Sequence, residues 1–179
     1  MTTLICLTQS QFCRLKAHLI PRRHKVEQVA FLFVTPRQSS GTLRLICQDI
    51  WCCAPDELDH QLAYHISLKD ETKASLIKKA HDTGCALVEL HSHIGRVSAQ
   101  FSPSDYFGFE EFVPHIRWRL KGAPYAAIVI TKRDMDGFVW AGQETTAARL
   151  QGIEVDGRLG TKMNGLSPLQ WTPIAYEEL

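Results

Sequence analysis

Apolar and polar positions change period several times along the chain, and each change marks an element. Thr3 to Leu7 is short and apolar enough for a strand. Phe12, Leu15 and Leu19 then share one stripe, which predicts a helix from Thr8, as N-cap, to about His18. A basic loop, Pro21-Arg22-Arg23-His24, leads into a strongly β-like run from Val26 to Thr35, with Phe31-Leu32-Phe33-Val34 as a buried strand. Pro36 to Gly41 carries turn residues, and Leu43 to Cys53 reads as the antiparallel return strand. Pro55 to Leu58 is a loop, and His60 to Leu68 alternates as a further strand. Asp70 to His81 is helical, with Leu76, Ile77 and Ala80 on one stripe, and Thr83-Gly84 ends it.

In the second half, Cys85 to His93 is predicted to be a strand and Ile94 to Gln100 a loop. Ser102 as N-cap and Pro103 in the first turn open a helix carrying Tyr106, Phe107, Phe109 and Phe112, read as core, and Pro114 breaks or kinks it. Tyr125 to Lys132 and Phe138 to Gln143 read as strands joined by a hairpin turn at Asp136-Gly137. The remainder gives no clear pattern. With no linker, repeat or low-complexity segment, the expectation is a single α+β domain.

Composition narrows the function classes. A chain of 179 residues buries roughly 70% of the surface that its unfolded form exposes. A net charge of +1 gives no electrostatic footprint for nucleic acid or an anionic membrane. No apolar run approaches the ~20 residues of a membrane span, and Leu4-Ile5-Cys6-Leu7 is too short for a signal peptide and lacks a basic flank. A cytoplasmic protein is expected. The six cysteines, Cys6, Cys13, Cys47, Cys52, Cys53 and Cys85, show no CxxC spacing. They read as reduced, small core residues in a reducing compartment.

The candidate chemistry lies in Glu89-Leu90-His91-Ser92-His93, followed by Ser102-Pro103-Ser104-Asp105. Residues i and i+2 of a strand share a face, so His91 and His93 present two imidazoles to one point. Asp105, at the start of the next helix, can return to that point. Three protein ligands and one open position suit a catalytic zinc, whereas structural zinc normally has four protein ligands. A capping box alone also explains Ser-x-x-Asp. Glu89 shares the histidine face, where it could hold an imidazole from outside the ligand shell, pair with a base such as Arg96, or act as a rival base. Ser92 points to the opposite face. His18, His24, His60, His65, His81 and His115 lack comparable spacing.

Taken in order, Glu27, His91-Ser92-His93 and Ser102-Pro103-Ser104-Asp105 resemble the signature of the JAMM (MPN+, JAB/Mov34-type) zinc metalloproteases: a remote glutamate, His-Ser/Thr-His-Pro, a loop, and Ser-x-x-Asp. Val26 to Leu32 is similar to the family's Glu-x-x-Gly-x-Leu, with Ala30 as the small residue. The likeness spans about Glu27 to Trp140. Ile94 stands where the family has proline, and the loop to Ser102 is one residue longer than is commonest, which costs little closure entropy.

The resemblance implies a mixed β-sheet flanked by helices, in the cytidine-deaminase-like JAB/MPN architecture. It implies one domain over residues 1–179, with its core about 24–143. It further implies one Zn²⁺ per chain on His91, His93 and Asp105, Glu27 as general base, Ser102 at the oxyanion, and Glu89 behind the ligands. The implied activity is that of a peptidase or isopeptidase cutting after the C-terminal tail of a ubiquitin-like protein. The small chain looks like the family's bacterial stand-alone members, which are similar to proteins working beside ubiquitin-activation-like enzymes, in sulfur-carrier metabolism or antiviral conjugation. The alternatives are a metal-free MPN-like scaffold and a zinc hydrolase of another amide. A zinc deaminase needs H-x-E with P-C-x-x-C, and the chain has neither.

Overall fold

Three amphipathic helices and a run of strands apolar on both faces leave one good arrangement: a central sheet with helices on either side. The computed structural model describes residues 1–23, 25–62, 65–142 and 146–170. In chain order the elements are β1 (Thr2–Leu7), α1 (Gln9–Leu19), β2 (Val29–Ser39), β3 (Thr42–Cys52), β4 (Leu58–Gln61), β5 (Ile66–Leu68), α2 (Asp70–Thr83), β6 (Ala86–Ser92), α3 (Pro103–Arg119), β7 (Tyr125–Ile130), β8 (Met135–Trp140), β9 (Ala148–Arg149), β10 (Gly152–Val155) and β11 (Arg158–Lys162). Nine strands form a mixed sheet in the order β11-β10-β1-β3-β2-β6-β7-β8-β9, while β4 and β5 form a separate antiparallel pair. The α+β class with a helix-flanked mixed sheet is what the sequence predicts.

Val29 to Val34 of β2 and Tyr125 to Ile130 of β7 are apolar and buried because both faces of the sheet are covered there. Along β2, Ala30, Leu32 and Val34 pack with Leu15 and Leu19 of α1. Val29, Phe31 and Phe33 pack on the other face with Leu76 and Ala80 of α2 and with Tyr106, Phe109, Val113 and Ile116 of α3. Thr8 caps α1 in a full capping box. Lys79 fastens α2 to the sheet: its ammonium pairs with Asp49 and lies 4.5 Å from the centre of the Phe33 ring.

Several expectations are corrected. The run from His60 to Leu68 is not one strand: β4 pairs back on β5. Alternation has the same period in one long strand and in two short paired ones, so the pattern cannot separate them. Pro36 lies inside β2, opposite Leu45, because β6 pairs with β2 only as far as Val34 and leaves that edge free. The turn itself is Ser40-Gly41, both with positive φ, as a tight hairpin requires. Helix α3 continues through Pro114 to Arg119. Phe107 is exposed rather than core, and Cys13 is also exposed. All six cysteines are free. His24 and Gln143 lie outside the described residues.

The predicted hairpin turn at Asp136-Gly137 is also displaced. Both residues sit in β8, and the chain reverses at Thr131–Asp134, where the Thr131 hydroxyl accepts the N–H groups of Arg133 and Asp134. Gly137 is needed for space rather than for turning. A Cβ there would lie 3.0 Å from a Leu150 methyl and 3.1 Å from the Ala127 carbonyl oxygen. Gly137→Ala is therefore expected to destabilise the fold by about 1–3 kcal/mol, read as a lower denaturation midpoint; an unchanged midpoint would show that the sheet absorbs the methyl.

Candidate metal centre

The site forms where β6 ends on the α2/α3 side of the sheet. β6 is locked between β2 and β7, with His91 opposite Val29 on one side and Val129 on the other. His93 lies one residue beyond the strand, and its N–H still donates to the Ile130 carbonyl at 2.9 Å. Pleating then puts both imidazoles on one face.

Asp105 arrives at the third position of α3 in a complete capping box. The Asp105 carboxylate accepts the Ser102 N–H at 2.6 Å, and the Ser102 hydroxyl accepts the Asp105 N–H at 3.3 Å. The helix N-terminus also favours its negative charge. Glu27 stands just before β2. Its N–H donates to the Leu62 carbonyl and its own carbonyl accepts the Gln61 side chain, both at 2.9 Å. The buried Ser92 hydroxyl accepts the Gln28 N–H at 3.0 Å, which secures the chain beside Glu27 from the opposite face.

These residues converge. His91 Nε2 is 3.2 Å from His93 Nε2 and 3.3 Å from Asp105 Oδ1; His93 Nε2 is 3.3 Å from Asp105 Oδ2. Glu27 Oε1 lies 3.9 Å from His93 Nε2. His91, His93 and Glu27 are all buried. His91, His93 and Asp105 are thus a group that could hold a metal ion. Glu89 stands behind them, with Oε1 3.5 Å from His91 Nδ1, a distance of ionic attraction rather than a formed hydrogen bond. Its other oxygen accepts the Tyr125 hydroxyl at 2.6 Å, and that contact stands where a pairing with Arg96 was considered. Both Nδ1 atoms are buried without a hydrogen-bond partner among the described residues.

The electrostatics follow from this crowding. Burial alone would depress His91, but the Asp105 and Glu89 carboxylates outweigh it and hold the imidazole well above its usual range. His93 is lowered, by burial first and by the neighbouring His91 charge. Burial works to raise Asp105, yet the two histidines overcome it and hold the carboxyl well below the usual range. Glu27 is pushed up to about 7 by burial, with Asp105 adding to the shift and His91 and Arg96 opposing it. A carboxylate this close to two imidazoles calls for a positive charge between them.

A cavity of about 1440 Å³ runs away from these residues between two walls. One wall is β5 with Ala74 and Ile77 of α2, and the other is α3, with Phe107 and Trp118. Trp118 is 72% exposed and Phe107 56%. Sequence reasoning missed this groove and the Tyr125–Glu89 contact. The spacing of Phe107 and Trp118 is a usable signal for the groove, since residues eleven apart lie about three helical turns apart on one face. The Tyr125 contact has no local signature, because β6 and β7 meet only in the sheet. His65, His81 and His115 line the groove away from the metal group, and the His18 ring donates from Nε2 to the Val29 carbonyl at 3.0 Å.

No model of a known protein family matches the chain, and no curated protein matches it. The chemistry of the site is therefore read from its own residues. Among the described residues no helix is long and apolar enough to cross a membrane.

The donor set predicts one divalent ion per chain by elemental analysis of tag-free protein after metal loading. Asp105→Ala should bind at least tenfold more weakly; unaltered affinity would remove Asp105 from the site. Wild-type affinity should also fall as the pH is lowered, since the histidines must release their protons to coordinate and the carboxylates beside His91 favour its protonated form.

Proposed function

We propose that the chain is a zinc-dependent peptidase or isopeptidase of the JAMM/MPN+ type, one that cuts after the C-terminal tail of a ubiquitin-like protein. The observation that carries this reading is the convergence of His91, His93 and Asp105 beside a buried Glu27. In a tetrahedral site with zinc–nitrogen bonds of about 2.0–2.1 Å, neighbouring ligand atoms stand roughly 3.3 Å apart. Here the two imidazole nitrogens are 3.2 Å apart, and the Asp105 carboxylate lies 3.3 Å from each through a different oxygen, Oδ1 toward His91 and Oδ2 toward His93. Two neutral nitrogens and one carboxylate oxygen leave a fourth position open, as catalytic rather than structural zinc requires.

Zinc held by His91, His93 and Asp105 would supply Lewis acidity, enough to bring the pKa of a bound water toward about 7. The chain's own residues do the rest. Glu27 Oε1 lies 3.9 Å from His93 Nε2, close enough for its carboxylate to take a proton from attacking water and return it to the leaving amine. Ser102 sits beside Asp105, and its hydroxyl donates to Asp105 Oδ2 at 2.8 Å. The oxyanion role requires that proton to swing from Asp105 to the tetrahedral oxygen. Glu89, braced by Tyr125, can turn the small distance to His91 Nδ1 and fix its tautomer.

The groove supports an extended substrate. Among the described residues β5 pairs with β4 alone, which leaves its outer edge for a peptide strand, and Ile66, Ser67 and Leu68 line the groove. A tail added there would gain backbone hydrogen bonds while the walls select its side chains. The ubiquitin-like substrate class, the neighbouring activation-like enzymes and the JAB/MPN architecture rest on the resemblance of Glu27, His91-Ser92-His93 and Ser102–Asp105 to that family. A metal-free scaffold is the second reading, favoured by the close approach of His91 Nε2 to both His93 Nε2 and Asp105 Oδ1, which lets the cluster's polar groups face one another without an ion.

The test uses zinc-loaded protein and ubiquitin-like proteins whose glycine-ending tails carry a C-terminal peptide extension. Wild type should release the peptide. Glu27→Gln should keep its zinc and lose roughly 10²–10⁴-fold in rate. Activity retained in that variant would transfer the base role to Glu89, and absence of zinc from folded wild type would leave the scaffold reading.

A further inference from the structure

A buried carboxylate lies outside the site just described. Asp136, in β8, is 1% exposed, and beyond its own strand it accepts the backbone N–H of Gly165 at 3.2 Å and of Ser167 at 2.7 Å. Two residues earlier, Asp134 Oδ1 accepts the Ala99 N–H at 2.7 Å, while Oδ2 accepts the Asn164 side-chain amide at 2.8 Å. That amide also donates to the Ala99 carbonyl at 2.9 Å. The fully buried Ser167 hydroxyl accepts the Phe101 N–H at 3.0 Å, and the Tyr106 hydroxyl donates to the Pro168 carbonyl at 2.6 Å.

These bonds share a layout. One edge of segment 163–168 is tied to β8, through Asp136 and through the Asn164 N–H to the Met135 carbonyl at 2.8 Å. The other edge is tied to Ala99, Phe101 and Tyr106, which bracket Ser102 and Asp105. The chain between His93 and Ser102 has no regular element, so its amides depend on such partners for both their satisfaction and their position.

We propose that residues 163–168 are a strap that sets where α3 begins, and so holds Asp105 and Ser102 in register with His91 and His93. Asn164 and Ser167 are its positioning residues, and Asp136 is its anchor on the sheet. Asp105 reaches the histidines only through the first turn of α3. The start of that turn is fixed at one end by the capping box and at the other by Ala99 and Phe101 on the strap. Ala99 and Phe101 are themselves buried, and the Phe101 ring lies 6.0 Å from the His91 ring, so a shift of the loop is felt at the ligand directly. The strap rests on the metal reading above, since its role is defined by the ligand it places.

Cobalt(II) tests it, because its visible absorption reports coordination geometry and its titration gives an affinity without any substrate. Wild type is compared with Asn164→Ala, Ser167→Ala and Leu15→Val, the last on α1 across the sheet. Asn164→Ala and Ser167→Ala should bind cobalt 10–100-fold more weakly, the range usual for residues that support ligands from behind, with an altered spectrum. Leu15→Val should lower the melting temperature but keep wild-type affinity and spectrum. Wild-type affinity and spectrum in folded Asn164→Ala and Ser167→Ala would overturn the strap, as would an equal loss in Leu15→Val. Should Ser167→Ala not fold, the half-buried Asn164 carries the comparison. Wild type that takes up no cobalt would refute the metal reading by itself, and the strap's role with it.

Discussion

The central constraint is the burial of ionisable groups on one face of a sheet. Glu27, His91 and His93 are all removed from water, and Asp105 nearly so. Leaving such groups unpaired costs several kcal/mol each. They are tolerated because each is brought within reach of the others. β2, β6 and the start of α3 must therefore meet at one point, and that requirement fixes much of the surrounding structure. The capping box places Asp105 and Ser92 holds the backbone next to Glu27.

The sheet gives this cluster two different surroundings. One face is closed by α1 over a layer made mostly of aliphatic side chains, chiefly Leu, Ile, Val and Ala. The other carries aromatic residues and two helices, α2 and α3, which diverge enough to leave the groove. A rigid, doubly covered strand carries His91 and leads directly to His93, while the groove is lined by surfaces of α2 and α3 and by β5. A functional group is positioned well by such a scaffold because the strand cannot move without disturbing both layers. The aromatic contacts of Phe101 with Phe109 and Phe138 tie the loop before α3 into the same layer.

Much of the fold was legible locally. Periods of 3.6 identify α1 through Phe12, Leu15 and Leu19, and α2 through Leu76 and Ala80. The double-sided apolar run of Phe31 to Val34 marks a central strand. Errors fall where a local signal has two meanings. Asp-Gly at 136–137 is a common turn pair, but Asp136 is buried in a strand because distant N–H groups bind its carboxylate. Pro36 is a turn residue that an unpaired strand edge can also accept. Phe107 belongs to an aromatic run and yet faces the groove, since only one side of α3 touches the sheet.

By itself, the sequence determined what each element is and which chemical groups it carries. His91 and His93 share a face because a strand has period two, and Ser102-Pro103-Ser104-Asp105 starts a helix because of its capping and first-turn chemistry. Those are properties of neighbouring residues. Only the tertiary structure decided that Asp105 meets both imidazoles, that Glu27 is buried beside them, and that Glu89 turns to Tyr125. It also decided that the C-terminal strands β10 and β11 extend the sheet beyond β1, where no periodic signal pointed. The physical reason is the same in each case: such contacts join residues far apart in the chain, and sheet order and helix placement, which bring them together, leave no periodic mark on the segments involved.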